Sequence, residues 1–86
     1  MTLDELTQTA WAQQWRRRSP RSWNQVLGYL KQPDFAVRLA YDRSEQAWAI
    51  MPVVGGVPSG LWLDYYDTEG EAVEACLERE WRIWKP

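Results

Sequence analysis

Apolar residues recur along this chain first at helical spacing, then at alternate positions, then at helical spacing again. Leu3, Leu6, Ala10, Trp11 and Trp15 trace one broad stripe at the period of an α-helix. Thr2 followed three residues later by Glu5 fits a capping box, in which each side chain satisfies an orphan backbone N–H at a helix start. The pattern predicts a helix to about Arg17. Arg18-Ser19-Pro20-Arg21 breaks it, with Ser19 suited to cap and Pro20 to fill the first position of a second helix. Trp23, Val26, Leu27 and Leu30 then give that helix one buried face. Pro33 ends it, because a proline biases the residue before it away from helical geometry.

After Pro33 the period falls to two. Phe35, Val37, Leu39 and Tyr41 alternate with Ala36, Arg38 and Ala40, the pattern of a half-buried strand. The polar run from Asp42 to Gln46 predicts a turn. A second strand follows, with Trp48, Ile50 and Val54 on one parity and Ala47, Ala49, Met51 and Val53 on the other. Pro52 cannot donate to a ladder, so this strand lies at an edge or turns that position away from a neighbour. The stretch Gly55-Gly56-Val57-Pro58-Ser59-Gly60 reads as one loop, and Leu61, Leu63 and Tyr65 alternate with Trp62, Asp64 and Tyr66 in a third strand. Pairing Tyr41 with Trp48 and Val54 with Leu61 puts the large residues on one face of an antiparallel meander. The opposite face then carries Ala36, Val53 and Trp62, next Arg38, Met51 and Asp64, and last Ala40, Ala49 and Tyr66. So apolar a face is expected to be an interface, covered by the first helix or by a partner.

Thr68 and Glu71 predict a second capping box, and Val73, Cys76, Leu77, Trp81 and Trp84 form the apolar stripe of a last helix. Trp48, Leu63, Val73, Leu77 and Trp81 are the expected central core. The fold class that follows is α+β, in the order α-α-β-β-β-α, with helices packed on a three-stranded antiparallel β-meander. At 86 residues the chain fits one domain, residues 1–86, with the N-terminal helix over 1–17 peripheral to an α-β-β-β-α core.

Composition adds two facts to this picture. Seven Trp let a short chain build a core from few positions, since each ring buries much apolar area. Charge is uneven: residues 1–33 carry a formal +3 and residues 34–86 a formal −5, for a net −2. A single Cys cannot form an internal disulfide, the first residues are acidic rather than apolar, and no run is long enough to cross a membrane. A cytoplasmic location is the expectation.

Little in the sequence suggests catalysis. The absence of His removes the usual general base and the commonest nitrogen ligand for metals. Cys76 falls on the apolar stripe of the last helix, as a small core residue does. Gly55-Gly56 lacks the Lys and helix start of a phosphate loop. Neither a catalytic residue, a cofactor nor a metal is therefore expected.

Two surfaces remain as candidates. The sheet face with Arg38, Met51, Trp62, Asp64 and Tyr66 suits another protein or a second copy of the chain. The Arg-rich turn, with Trp15, Arg16, Arg17, Arg18 and Arg21, offers cations and rings to nucleic acid. The order α-β-β-β-α from Ser19 to Lys85 resembles the topology of double-stranded RNA-binding domains. That family binds phosphates with basic residues at the start of its final helix, where this chain has the acidic Thr68-Glu69-Gly70-Glu71-Ala72. The leading expectation is a non-catalytic protein-interaction module or regulatory subunit binding through aromatic surface, and a nucleic-acid-binding protein is the alternative.

Overall fold

A computed structural model of the chain describes residues 1–85. Helices α1 (Leu3–Thr7), α2 (Ala10–Arg18) and α3 (Pro20–Leu30) precede strands β1 (Ala36–Asp42), β2 (Ala47–Val54), β3 (Val57–Pro58) and β4 (Asp64–Tyr66), and helix α4 (Glu69–Glu78) follows. The α+β class and the antiparallel sheet are those expected, with two interruptions the periodicity did not reveal.

The first lies at Thr9. Instead of one helix to Arg17, the chain turns extended there, and the Thr9 hydroxyl accepts from the Ala12 N–H as the N-cap of α2. The same hydroxyl donates to the Leu6 carbonyl at 2.7 Å, closing α1. One side chain thus ends one helix and starts the next, competing with continued helix as threonine does. The Thr2–Glu5 capping box forms as expected. Pro20 stands in the first turn of α3, yet Ser19 occupies the cap position without a side-chain cap bond. The N-terminal segment is integral rather than peripheral: Leu6, Ala12 and Trp15 are buried in the same cluster as Val37, Ile50 and Leu63.

The second interruption shortens the expected third strand, Leu61 to Tyr66, to Asp64–Tyr66 and places a separate short strand, Val57–Pro58, in the expected loop. Gly55 and Gly56, both at positive φ, make a two-residue hairpin that pairs Val54 with Val57. Such a mirror-image turn matches the twist of the strands it joins, and glycine adopts it without a Cβ penalty. The expected six-residue loop is therefore a tight turn followed by a two-residue strand, with only Ser59 and Gly60 left over. β3 ends where Ser59 donates to the Pro52 carbonyl, since Pro52 has no N–H to return. The ladder resumes when Leu63 donates to Ile50, and β4 then pairs Trp48 with Tyr66, Ala49 with Tyr65 and Ile50 with Asp64.

β1 and β2 pair in the expected register, Tyr41 opposite Trp48 and Arg38 opposite Met51. β4 is displaced by one residue from the expected pairing, which turns all its side chains over. Asp64 and Tyr66 consequently share the first face with Val37, Leu39, Trp48 and Ile50, and Tyr65 joins Ala40 and Ala49 on the second.

The C-terminal part also departs from expectation. α4 stops at Glu78 and closes with Glu80 in the left-handed region, φ 59°. Trp81 donates to the Cys76 carbonyl and Glu80 to that of Leu77, the paired bonds of a Schellman ending. The chain then runs beside β1: Val37 donates to Arg82 and Trp84 to Val37, and Ile83 bridges Val37 in parallel. The buried face of α4 is Ala72, Ala75 and Cys76: Cys76 is buried as expected, but alanines stand where Val73 and Leu77 were expected. Small residues let the helix lie close over a sheet whose side is already filled by tryptophan. Leu77, expected in the core, is 68% exposed, while Leu63 and Trp81 are buried as expected and Trp48 and Val73 are half-buried.

Candidate functional site

The expected sheet-face surface does not assemble. Arg38 and Met51 lie on the second face, while the one-residue displacement carries Asp64 and Tyr66 to the first. There Tyr66 donates its hydroxyl to Asp64 Oδ2 at 2.9 Å, and Arg79 Nη2 reaches both Asp64 Oδ2 and the Tyr66 oxygen at 3.1 Å. The Arg79 guanidinium stands 5.0 Å from the centre of the Trp11 ring and 5.1 Å from that of Trp81. Burial, then the Asp64 charge, raise the pKa of the Tyr66 hydroxyl. Asp64 and Tyr66 thus serve an internal junction.

Trp62 sits in the segment between β3 and β4. Its ring packs against Trp15 at 5.0 Å and Tyr65 at 4.9 Å, with the Arg18 guanidinium 5.6 Å from its centre. Tyr65 extends the row by donating to Asp42 Oδ2, and burial followed by that bond raises its hydroxyl pKa to about 12. The two candidate surfaces therefore meet: Arg18 of the basic turn caps the tryptophan assigned to the sheet face.

Around this cap the Arg-rich turn is built by α2 and α3. Trp15, at the turn, points inward and is buried, its indole N–H donating to the Leu63 carbonyl at 2.7 Å. Trp11, one helical turn earlier, donates to the same oxygen at 2.9 Å. With Trp15 inward, Arg16, Arg17 and Arg18 are left exposed, as is Arg21. An open groove of about 640 Å³ runs between the two helices, lined by Gln13, Arg16, Arg17, Pro20, Trp23 and Asn24. Among the described residues no carboxylate lies within ion-pair distance of any of these four arginines; the only side-chain ion pair is Arg79 with Asp64. Sequence reasoning found the arginines but not their junction with Trp62, because the shortened third strand brings it there.

Other chemistry is sparse. Cys76 is buried, and burial pushes its thiol up to about 11. No group of three or more His, Cys, Asp or Glu converges among the described residues. At the start of α4, Thr68 accepts from the Glu71 N–H, and its hydroxyl donates to the Glu71 carboxylate, so this helix end is occupied by its own acidic cap. No helix among the described residues is long and apolar enough to cross a membrane. No family model, curated protein or solved structure matches the chain.

Proposed function

We propose that the chain is a non-catalytic protein-interaction module of the cytoplasm that receives an acidic segment of a partner on its basic end. The observation that carries this reading is the set of four exposed arginines around the α2–α3 turn that have no carboxylate partner among the described residues, two of which, Arg16 and Arg17, line the groove between the helices. Four arginines within six residues raise the local potential, and arginine forks match carboxylates in two-pronged hydrogen bonds. The rings nearest these cations are Trp23, which lines the groove, and Trp62, beneath Arg18.

Nucleic acid is the second reading, favoured by the same cations. It is weaker because base stacking needs a free ring face, and Trp62 is already flanked by Trp15, Tyr65 and Arg18. The acidic excess of residues 34–86 also opposes a dense polyanion.

Fluorescence anisotropy with a labelled Asp/Glu-rich peptide and with single-stranded RNA and DNA, across a salt series, separates the two. The peptide should bind, with binding lost when Arg16, Arg17, Arg18 and Arg21 are changed together to Gln. Nucleic acid should bind weakly and be lost by physiological salt, with a log–log slope of roughly −3 to −4 for four phosphate contacts. The peptide lacks a condensed counterion sheath and should give a shallower slope. Submicromolar oligonucleotide binding at physiological salt would instead establish the second reading.

A further inference from the structure

We propose that the trough between α4, the sheet and the C-terminal segment binds a small aliphatic carboxylate, its chain on the tryptophans and its carboxylate at Arg38 and Lys85. The trough exists because α4 buries only small residues and ends early, while the chain after it turns away to run beside β1. Leu39 and Trp48 are its floor, Val73 its helix side, and Ile83 and Trp84 its outer side, around a volume of about 510 Å³. All five apolar side chains are half-buried rather than closed over. The exposed Tyr41 rests its ring on Trp48 at one end, and the exposed Leu77 stands one helical turn beyond Val73. A concavity of this size, with aromatic and aliphatic walls and few charged groups, has the make-up of a small-molecule site.

The charged groups decide the kind of ligand. Arg38, from β1, and Lys85, from the C-terminal segment, both line the trough and are both exposed. Neither lies within ion-pair distance of a carboxylate among the described residues. Glu69, the first residue of α4, is the one carboxylate in the lining, and it pairs with neither cation. Two cations against one anion leave the trough net positive. The cations belong to its outer side and Glu69 to its helix side. An anionic head is thus drawn toward β1 and the C-terminal segment, and away from the start of α4. Arginine offers a carboxylate a two-pronged hydrogen bond, and lysine adds a point charge.

The same walls disfavour a peptide. Val37 spends its N–H on the Arg82 carbonyl and its C=O on the Trp84 N–H, so the outer side presents side chains and not a backbone edge. A peptide laid on five apolar side chains would leave its own N–H and C=O groups without partners. A hydrocarbon chain carries no such groups and gains with each CH₂ it buries. This site uses none of the arginines at the basic end.

Isothermal titration with octanoate, and with octanol as its uncharged match, tests the site. Octanoate should bind in the submillimolar range, about tenfold or more tightly than octanol, because a hydrogen-bonded charge pair adds to a shared apolar body. Changing Arg38→Gln and Lys85→Gln together should remove that advantage and leave octanol binding unchanged. Both side chains are exposed, and far-UV circular dichroism checks that the variant folds. Changing the four arginines of the basic end to Gln should leave octanoate binding as it was. In NMR spectra of the native chain, octanoate should shift the amides of Leu39, Val73 and Trp84 and the indole N–H of Trp48. Absence of binding at millimolar octanoate, equal affinity for octanol, or shifts gathered at the α2–α3 groove would overturn the proposal.

Discussion

The Leu63 carbonyl accepts from the indoles of both Trp11 and Trp15. Leu63 is buried, so the oxygen has no recourse to water once those donors are gone. A carbonyl has two lone pairs and tolerates the loss of one partner better than of both. Trp11→Phe and Trp15→Phe should each cost about 1 kcal/mol for the hydrogen bond, besides any packing loss. The double variant should cost about 1–3 kcal/mol more than the sum, because it leaves the acceptor buried and unsatisfied. A double-mutant cycle by urea denaturation reads this directly, and strict additivity would show the two bonds to be independent. Cys76 illustrates the opposite case, a reactive group silenced by its surroundings. Its folded pKa is raised by burial to about 11 from an ordinary value near 9. Being raised, it stabilises the fold below about pH 9, and that contribution is lost as pH climbs through about 11. At pH 8 a thiol reagent should label Cys76 only as fast as the protein opens; immediate labelling of the folded chain would contradict its burial.

At the scale of elements, the departures from the sequence pattern share one cause: single residues that redirect the backbone. Glu80 ends α4 in the left-handed region, a conformation that costs a residue with a Cβ roughly 1–2 kcal/mol and costs glycine little. Glu80→Gly should therefore stabilise the protein by about 1 kcal/mol, offset in part by the added freedom of the unfolded chain. Thermal melts should show the midpoint rising; a fall would mean the Glu80 side chain outweighs its backbone. The helices, the first hairpin and the register of β1 on β2 were legible because Trp23, Val26, Val37 and Ile50 repeat at clear periods. Thr9 was not, since it lies between Leu6 and Ala10 without disturbing their spacing. Nor was the end of α4, because Trp81 and Trp84 continue a helical spacing that Glu80 has already broken. The shortening of the third strand depended on Pro52 facing the strand beside it, a relation visible only after pairing. One displaced residue there was enough to dissolve the expected surface of Arg38, Met51, Trp62, Asp64 and Tyr66, while the basic turn, a purely local feature, stayed where the sequence put it.

For the whole molecule, the point where most elements converge is Arg79. It follows α4, bonds Asp64 and Tyr66 of β4, and lies between Trp11 of α2 and Trp81 of the C-terminal segment. Its side chain is 14% exposed and that of Asp64 26%, so the pair is largely but not wholly withdrawn from water. One guanidinium nitrogen, Nη1, is buried without a hydrogen-bond partner, so the cation is stabilised by ring faces and by one side of the fork. Desolvation works against such a pair, and its removal as a unit differs from the removal of one member. Asp64→Leu alone leaves a poorly hydrated cation between two tryptophans, and Arg79→Met alone leaves the Asp64 charge with two neutral donors, the Tyr66 hydroxyl and the Tyr65 N–H. Fully buried pairs lose about 3–5 kcal/mol when broken; with the residual exposure here each single change should cost about 1–3 kcal/mol. The double variant, Asp64→Leu with Arg79→Met, replaces charge by apolar packing of similar size and should recover most of that loss. Urea denaturation of the four proteins at one pH decides the matter. Recovery in the double variant would assign Arg79 to fixing how α2, α4 and β4 meet rather than to net stability. Additive losses would instead show that Arg79 and Asp64 stabilise the fold separately, Arg79 through its tryptophan rings and Asp64 through Tyr66.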